Sequence, residues 1–171
     1  PCREEQERRI MGRNIRGKHA KVYTANLEEI VCKERGEVFT LLELKYTLPG
    51  TIHCSVFLKF FEEQPWIDFR MELGKTISTD VESVFLPMTL SLEENQQLYL
   101  RKGTEAFRPG VDQLPGTCME FYMSDCGMAF VGEKQTALIA SRDVPLVYMG
   151  EMRHHPIRLC DNREENNARP V

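Results

Sequence analysis

The chain has 171 residues, with 22 basic against 26 acidic side chains and a net charge of −4. That length suits one domain with a sizeable core, and the acidic balance gives nucleic acid or an anionic membrane surface no electrostatic hold. The longest apolar runs are strand-sized, short of the roughly 20 residues that cross a bilayer as a helix, and the N-terminus lacks the basic-apolar-small pattern of a leader. Cys2, Cys32, Cys54, Cys118, Cys126 and Cys160 are scattered without a CxxC pair, unlike a disulfide scaffold or a paired zinc site. Reduced thiols and a cytoplasmic setting are expected. A start at Pro1 and an end at Arg169-Pro170-Val171 suggest a piece of a longer protein, whose compartment would be that of its parent.

Residues 1–19 are charged and lack a sustained apolar stripe, as in a frayed lead-in or a short helix. A β domain is expected over residues 20–150, with residues 151–171 a polar tail or an incomplete continuation of it. A short strand is expected at residues 20–24. Residues 29–34 and 37–48 are β-rich and divided by Arg35-Gly36, which reads as a hairpin. In residues 52–61 the even positions Ile52, Cys54, Val56, Leu58 and Phe60 are apolar, and a period of two sends one face to the core. Cys32 and Cys54 sit within such alternation and read as small core residues. After Glu62-Glu63-Gln64-Pro65, residues 66–73 alternate again, giving a second hairpin. Its Asp68, Arg70 and Glu72 share an outward face, where ion pairing across to Lys59 is expected.

Residues 81–92 form another strand-like run, interrupted by Pro87, which marks an edge, a bulge or a bend. A meander follows at residues 117–123, 128–132, 135–141 and 145–149. About ten short strands with frequent turns and no convincing amphipathic helix argue an all-β fold, a large antiparallel β-sandwich.

Residues 98–122, LYLRKGTEAFRPGVDQLPGTCMEFY, read as a long loop between strands. Its Pro109-Gly110 and Pro115-Gly116 steps pre-set two tight reversals. Long ordered loops on a β scaffold carry binding groups or merely connect sheets. Arg101, Arg108, Asp112, Gln113 and Tyr122 combine hydrogen-bonding forks with an aromatic ring, a surface suited to a sugar's hydroxyls and apolar ring face. The alternative is that Arg108 and Asp112 pair with each other and pin the loop. Glu105, Asp112, Glu120 and Asp125 lie nearby, but whether any two face each other across a scissile bond is not set by spacing. His154-His155 is the one adjacent His pair; neighbours on an extended chain point to opposite sides, which disfavours a shared metal. His19 and His53 have no ligand set beside them. No GxSxG elbow, phosphate loop or dinucleotide fingerprint is present.

The run RKGTEAFRPGVDQLPGTCMEFY (101–122), preceded by VFLKFFEEQPWIDFRMEL (56–73) and VESVFLPMTL (81–90) and followed by ALIASRDVPLVYMG (137–150), resembles the C-terminal β-sandwich region of α-mannosidase-type glycoside hydrolases, glycoside hydrolase family 38. The resemblance covers roughly residues 37–150. It implies a galactose-mutarotase-like supersandwich that follows a separate catalytic domain, with carbohydrate and that domain as partners. It also implies that the catalytic centre, with its zinc ion and carboxylate nucleophile, lies outside this chain, which then has no catalytic residue and no cofactor of its own. Residues 123–127 (MSDCG) depart from the family's more aromatic segment. A sandwich cut before completion would leave an edge to pair with missing strands or with a second copy. Two further readings stand beside this one. An exposed Trp66 or Tyr122 platform would favour an autonomous carbohydrate-binding module, and burial of both a purely structural domain.

Overall fold

The chain is all-β. The structure is a computed structural model that describes residues 21–79, 82–88, 90, 93–114, 117 and 121–149. Among them are ten strands, every pair antiparallel, and no helix. They fall into two units, Lys21–Ser83 and a second that starts at Val84.

The first unit is a meander of β1 (Asn26–Arg35), β2 (Phe39–Thr47), β3 (Thr51–Phe61) and β4 (Ile67–Lys75), with the strands side by side in chain order. Both expected hairpins form. The Gly36 N–H donates to the Phe39 carbonyl at 3.0 Å in the first turn. Pro49-Gly50 makes the next, where the Thr51 N–H returns to the Leu48 carbonyl at 3.1 Å. The register sets Leu42, Leu58 and Phe69 in one row and Leu44, Val56 and Met71 in the next, so the apolar positions of three strands share a face. Cys54 and Val56 at its centre are buried.

Four expectations are corrected here. Ile52 is exposed, because the β3–β4 register shifts between Thr51 and His53 and takes it out of the apolar rows. Cys32 lies on the edge strand β1 and is exposed, while Cys54 on the interior strand is buried and its thiol is pushed up by that burial. Residues 21–25 form no strand: the β1–β2 ladder ends at Asn26 opposite Thr47, where β2 itself stops. Lys59 stands opposite Asp68, yet its ammonium lies over the rings of Phe39 and Phe61, 3.9 and 5.1 Å from their centroids. Arg70 pairs with Glu72 on its own strand at 3.2 Å and covers the Phe57 ring. On this face cations cap rings in place of the expected cross-strand ion pair.

The second unit holds a four-stranded sheet in the order β6-β5-β8-β9 and a two-stranded sheet of β10 and β7. The strands are β5 (Gln97–Lys102), β6 (Glu105–Phe107), β7 (Phe121–Met123), β8 (Gly127–Val131), β9 (Thr136–Ala140) and β10 (Leu146–Tyr148). Leu100, opposite Phe107 on one side and Met128 on the other, is fully buried. The strand expected over residues 81–92 does not form among its described residues. Pro87 withholds a donor, no neighbouring strand pairs with the run, and Val84, Phe85, Leu86 and Met88 are about half exposed. An apolar run alone does not make a strand, which also needs an edge to bond.

Candidate functional site

The first part of the expected long loop, up to Phe107, is a hairpin. Lys102 pairs with Glu105 across Gly103-Thr104, which turns β5 into β6, so the irregular segment begins only at Arg108. There the Pro109-Gly110 step works as its residues dictate. The Val111 N–H donates to the Arg108 carbonyl at 3.1 Å, with Gly110 at φ +76°, the positive angle that this turn needs at its third residue.

Asp112 locks the turn. Its Oδ2 accepts from the Arg108 backbone N–H at 2.8 Å and from Nε at 3.0 Å, and its Oδ1 accepts from Nη2 at 2.8 Å. The side-chain hydrogen bond from Arg108, aided by the backbone one, lowers the carboxyl from 3.8 to about 2, and the same partnership raises the guanidinium. The pair is thus ionised, mutual and built into the loop.

Gln113 ties the loop to β7. Its Oε1 accepts from the Gly110 N–H at 2.7 Å and from the Tyr122 hydroxyl at 2.8 Å. Tyr122 is 7 % exposed, and its ring lies 5.9 Å from that of Phe107. On the paired strand Tyr148 packs against Phe121 at 4.6 Å and against Phe85 at 6.1 Å, which gives the strandless 82–88 segment a fixed point. Lys102, Phe107, Gln113, Phe121, Tyr122 and Met123 surround an open cavity of about 280 Å³.

Of the five sequence-derived site residues, Gln113 and Tyr122 line this cavity, and Arg108 and Asp112 form the adjacent ion pair. Arg101 stands apart, exposed on β5, with its Nε donating to the Gly103 carbonyl at 3.4 Å. Lys102, Phe107, Phe121 and Met123 carried no motif that marked them; they join the cavity through the β5–β6 hairpin and the β7–β10 pairing. Asp125 accepts from the Gly103 N–H, and Glu105 is exposed at the hairpin. His19, Glu120 and His154-His155 lie outside the described residues, as do the lead-in and the tail. Among the described residues no three His, Cys, Asp or Glu side chains gather as ligands for a metal ion.

A second polar device lies at the β8–β9 turn. The Glu93 carboxylate accepts from three successive backbone N–H groups, those of Glu133, Lys134 and Gln135, at 2.9, 2.8 and 2.7 Å. Foremost the Lys134 bond lowers its pKa against the opposing effect of burial. The Gly132-Glu133-Lys134 turn was visible in the sequence, but nothing there signalled its distant carboxylate. Compared with family models, with curated proteins and with solved structures, the chain matches none.

Proposed function

We propose that this chain is an accessory, non-catalytic β domain of an α-mannosidase-like glycoside hydrolase, which packs on the catalytic domain and shapes its carbohydrate cleft. The observation that carries the reading is the condition of residues 108–113, the RPGVDQ turn. Asp112 is held ionised well below the range of a carboxyl that could donate a proton to a leaving group. Its partner Arg108 holds it in place. A carboxylate held by its own loop in this way suits a role in setting the shape of that loop. The zinc of such a hydrolase would belong to its catalytic domain, and the supersandwich type is part of the same proposal.

The test is kinetic. In the longest natural polypeptide that carries this sequence, Arg108→Ala is expected to lower hydrolysis of aryl α-mannosides while circular dichroism shows an unchanged fold. Hydrolysis at the parental rate would contradict a cleft-shaping role for the loop.

A second reading, carbohydrate recognition by the chain itself, draws on one observation: Trp66 is 52 % exposed. Tyr122, the other ring considered for that role, is buried and hydrogen-bonded to Gln113. Saturable binding of a sugar by the isolated chain would favour this second reading.

A further inference from the structure

We infer that the side of the first sheet that bears Lys59 and Asp68 carries a stacking platform for a neutral pyranose sugar, with the indole of Trp66 as the ring that takes the sugar's apolar face. The inference rests on the second reading above and gives it a location. The face carries four aromatic side chains, Phe39, Phe57, Phe61 and Trp66. Three are already covered by cations: Lys59 lies over Phe39 and Phe61, and Arg70 over Phe57. Among the described residues no cation lies over Trp66, which is the most exposed of the four.

The indole is held as well as open. Its ring sits 5.9 Å from Phe61 at 60°, and Phe61 in turn sits 6.3 Å from Phe39 at 58°. Tilted contacts of this kind fix an aromatic ring by its edge or one side, so little freedom is lost when a ligand stacks on the other.

The surroundings select the class of ligand. The Glu62-Glu63-Gln64 turn leads into Trp66 with all three side chains exposed, and Asp68 follows on the same face. The cations Lys59 and Arg70 stand against the carboxylates of Glu62, Glu63, Asp68 and Glu72, with Arg70 already paired to Glu72, so a phosphate backbone or an acidic glycan is repelled. Carboxylates and an amide beside a ring suit hydroxyl groups, which donate to the former and exchange bonds with the latter. A neutral sugar offers both the hydroxyls and the flat C–H face.

Trp66 is the only tryptophan in the chain, so its emission reports directly on the platform. The full 171-residue chain is titrated with mannose, glucose, galactose and mannotriose, following Trp66 emission and its quenching by acrylamide. A saturable blue shift with protection from quenching is expected for at least one of them. Trp66→Ala should weaken binding of that sugar by about tenfold or more, a loss of about 1.4 kcal/mol, as read by calorimetry, with its thermal unfolding unchanged. Trp66→Tyr, which keeps a flat ring, should retain most of the affinity.

Sugar binding that survives Trp66→Ala would overturn the platform and leave recognition elsewhere on the chain. Absence of binding by any of the four sugars would overturn the platform and the second reading together. An emission shift that follows protein concentration without sugar would overturn it in favour of a second copy of the chain.

Discussion

Arg108 and Asp112 grip each other at both carboxylate oxygens, and the Arg108 backbone N–H adds a third bond to the same group. The grip spans the Pro109-Gly110 turn and is followed directly by Gln113, whose side chain bonds both that turn and Tyr122. Turn, ion pair and cavity wall are therefore one connected device, and disturbing one residue should be felt at the next.

The first consequence is a pH dependence with a definite sign. The Asp112 carboxyl is lowered in the folded chain from 3.8 to about 2, so its stabilising effect is complete above 3.8 and is lost as pH falls from there through about 2. Amide exchange at Gly110, whose N–H is held by Gln113, should speed up across that window after correction for the intrinsic rate, while Leu100 in β5 stays protected. Asp112→Asn should remove the step. A loop that exchanges equally at both ends of the window would show that the grip does not hold it.

Tyr122→Phe removes the hydroxyl's bond to Gln113 Oε1 and leaves the one from Gly110. The ring and its packing against Phe107 stay. A net loss of about 1 kcal/mol is expected for a buried neutral hydrogen bond of this kind, equivalent to a melting point lower by about 2–4 °C in a chain of this size. An unchanged melting point would mean that water replaces the hydroxyl at no cost.

The sequence revealed these elements unevenly, and the reasons are physical. Residues 52–61 and 66–73 could be read because a half-buried strand repeats every two residues and because Glu62-Glu63-Gln64-Pro65 interrupts the pattern between them. The turn at Pro109-Gly110 was legible for a similar reason, since the two residues prescribe their own backbone angles. The pairing of Arg108 with Asp112, four positions apart, was one of two readings that the sequence left open. The cavity was not legible: Phe107 meets Tyr122, and Phe121 meets Tyr148, only because β7 pairs with β10 and β6 folds back on β5. Residues 82–88 misled because a strand-like apolar run carries no information about whether a neighbouring strand exists.

Glu93 makes another contact that the sequence did not signal, bonding a backbone N–H 40 residues away. Three N–H donors favour its ionised form, so the folded pKa lies below the ordinary 4.5. The clasp is then complete above that value and weakens as pH falls below it. Glu93→Ala should raise exchange at Glu133, Lys134 and Gln135 at neutral pH, and the native chain should begin to show the same pattern in acid. If the three amides exchange no faster in the variant, the turn holds itself without the carboxylate.

Two glycines separate backbone strain from lack of space. At Gly110, φ is +76° and an added Cβ would meet nothing within 4 Å, so Gly110→Ala should cost only the left-handed penalty, about 1 kcal/mol. At Gly127, φ is +147° and a Cβ would lie 2.0 Å from the Ile139 carbonyl oxygen. That oxygen belongs to β9, paired with β8 through Met128 opposite Ile139, so the clash is with backbone that cannot turn aside as a side chain could. Gly127→Ala should therefore force the two strands apart at this end and cost about 3 kcal/mol or more. Urea unfolding of both variants decides the matter. Equal midpoints would mean that the β8–β9 approach at Gly127 is looser than the distance states, whereas a large gap between them would locate the constraint in the strand pairing.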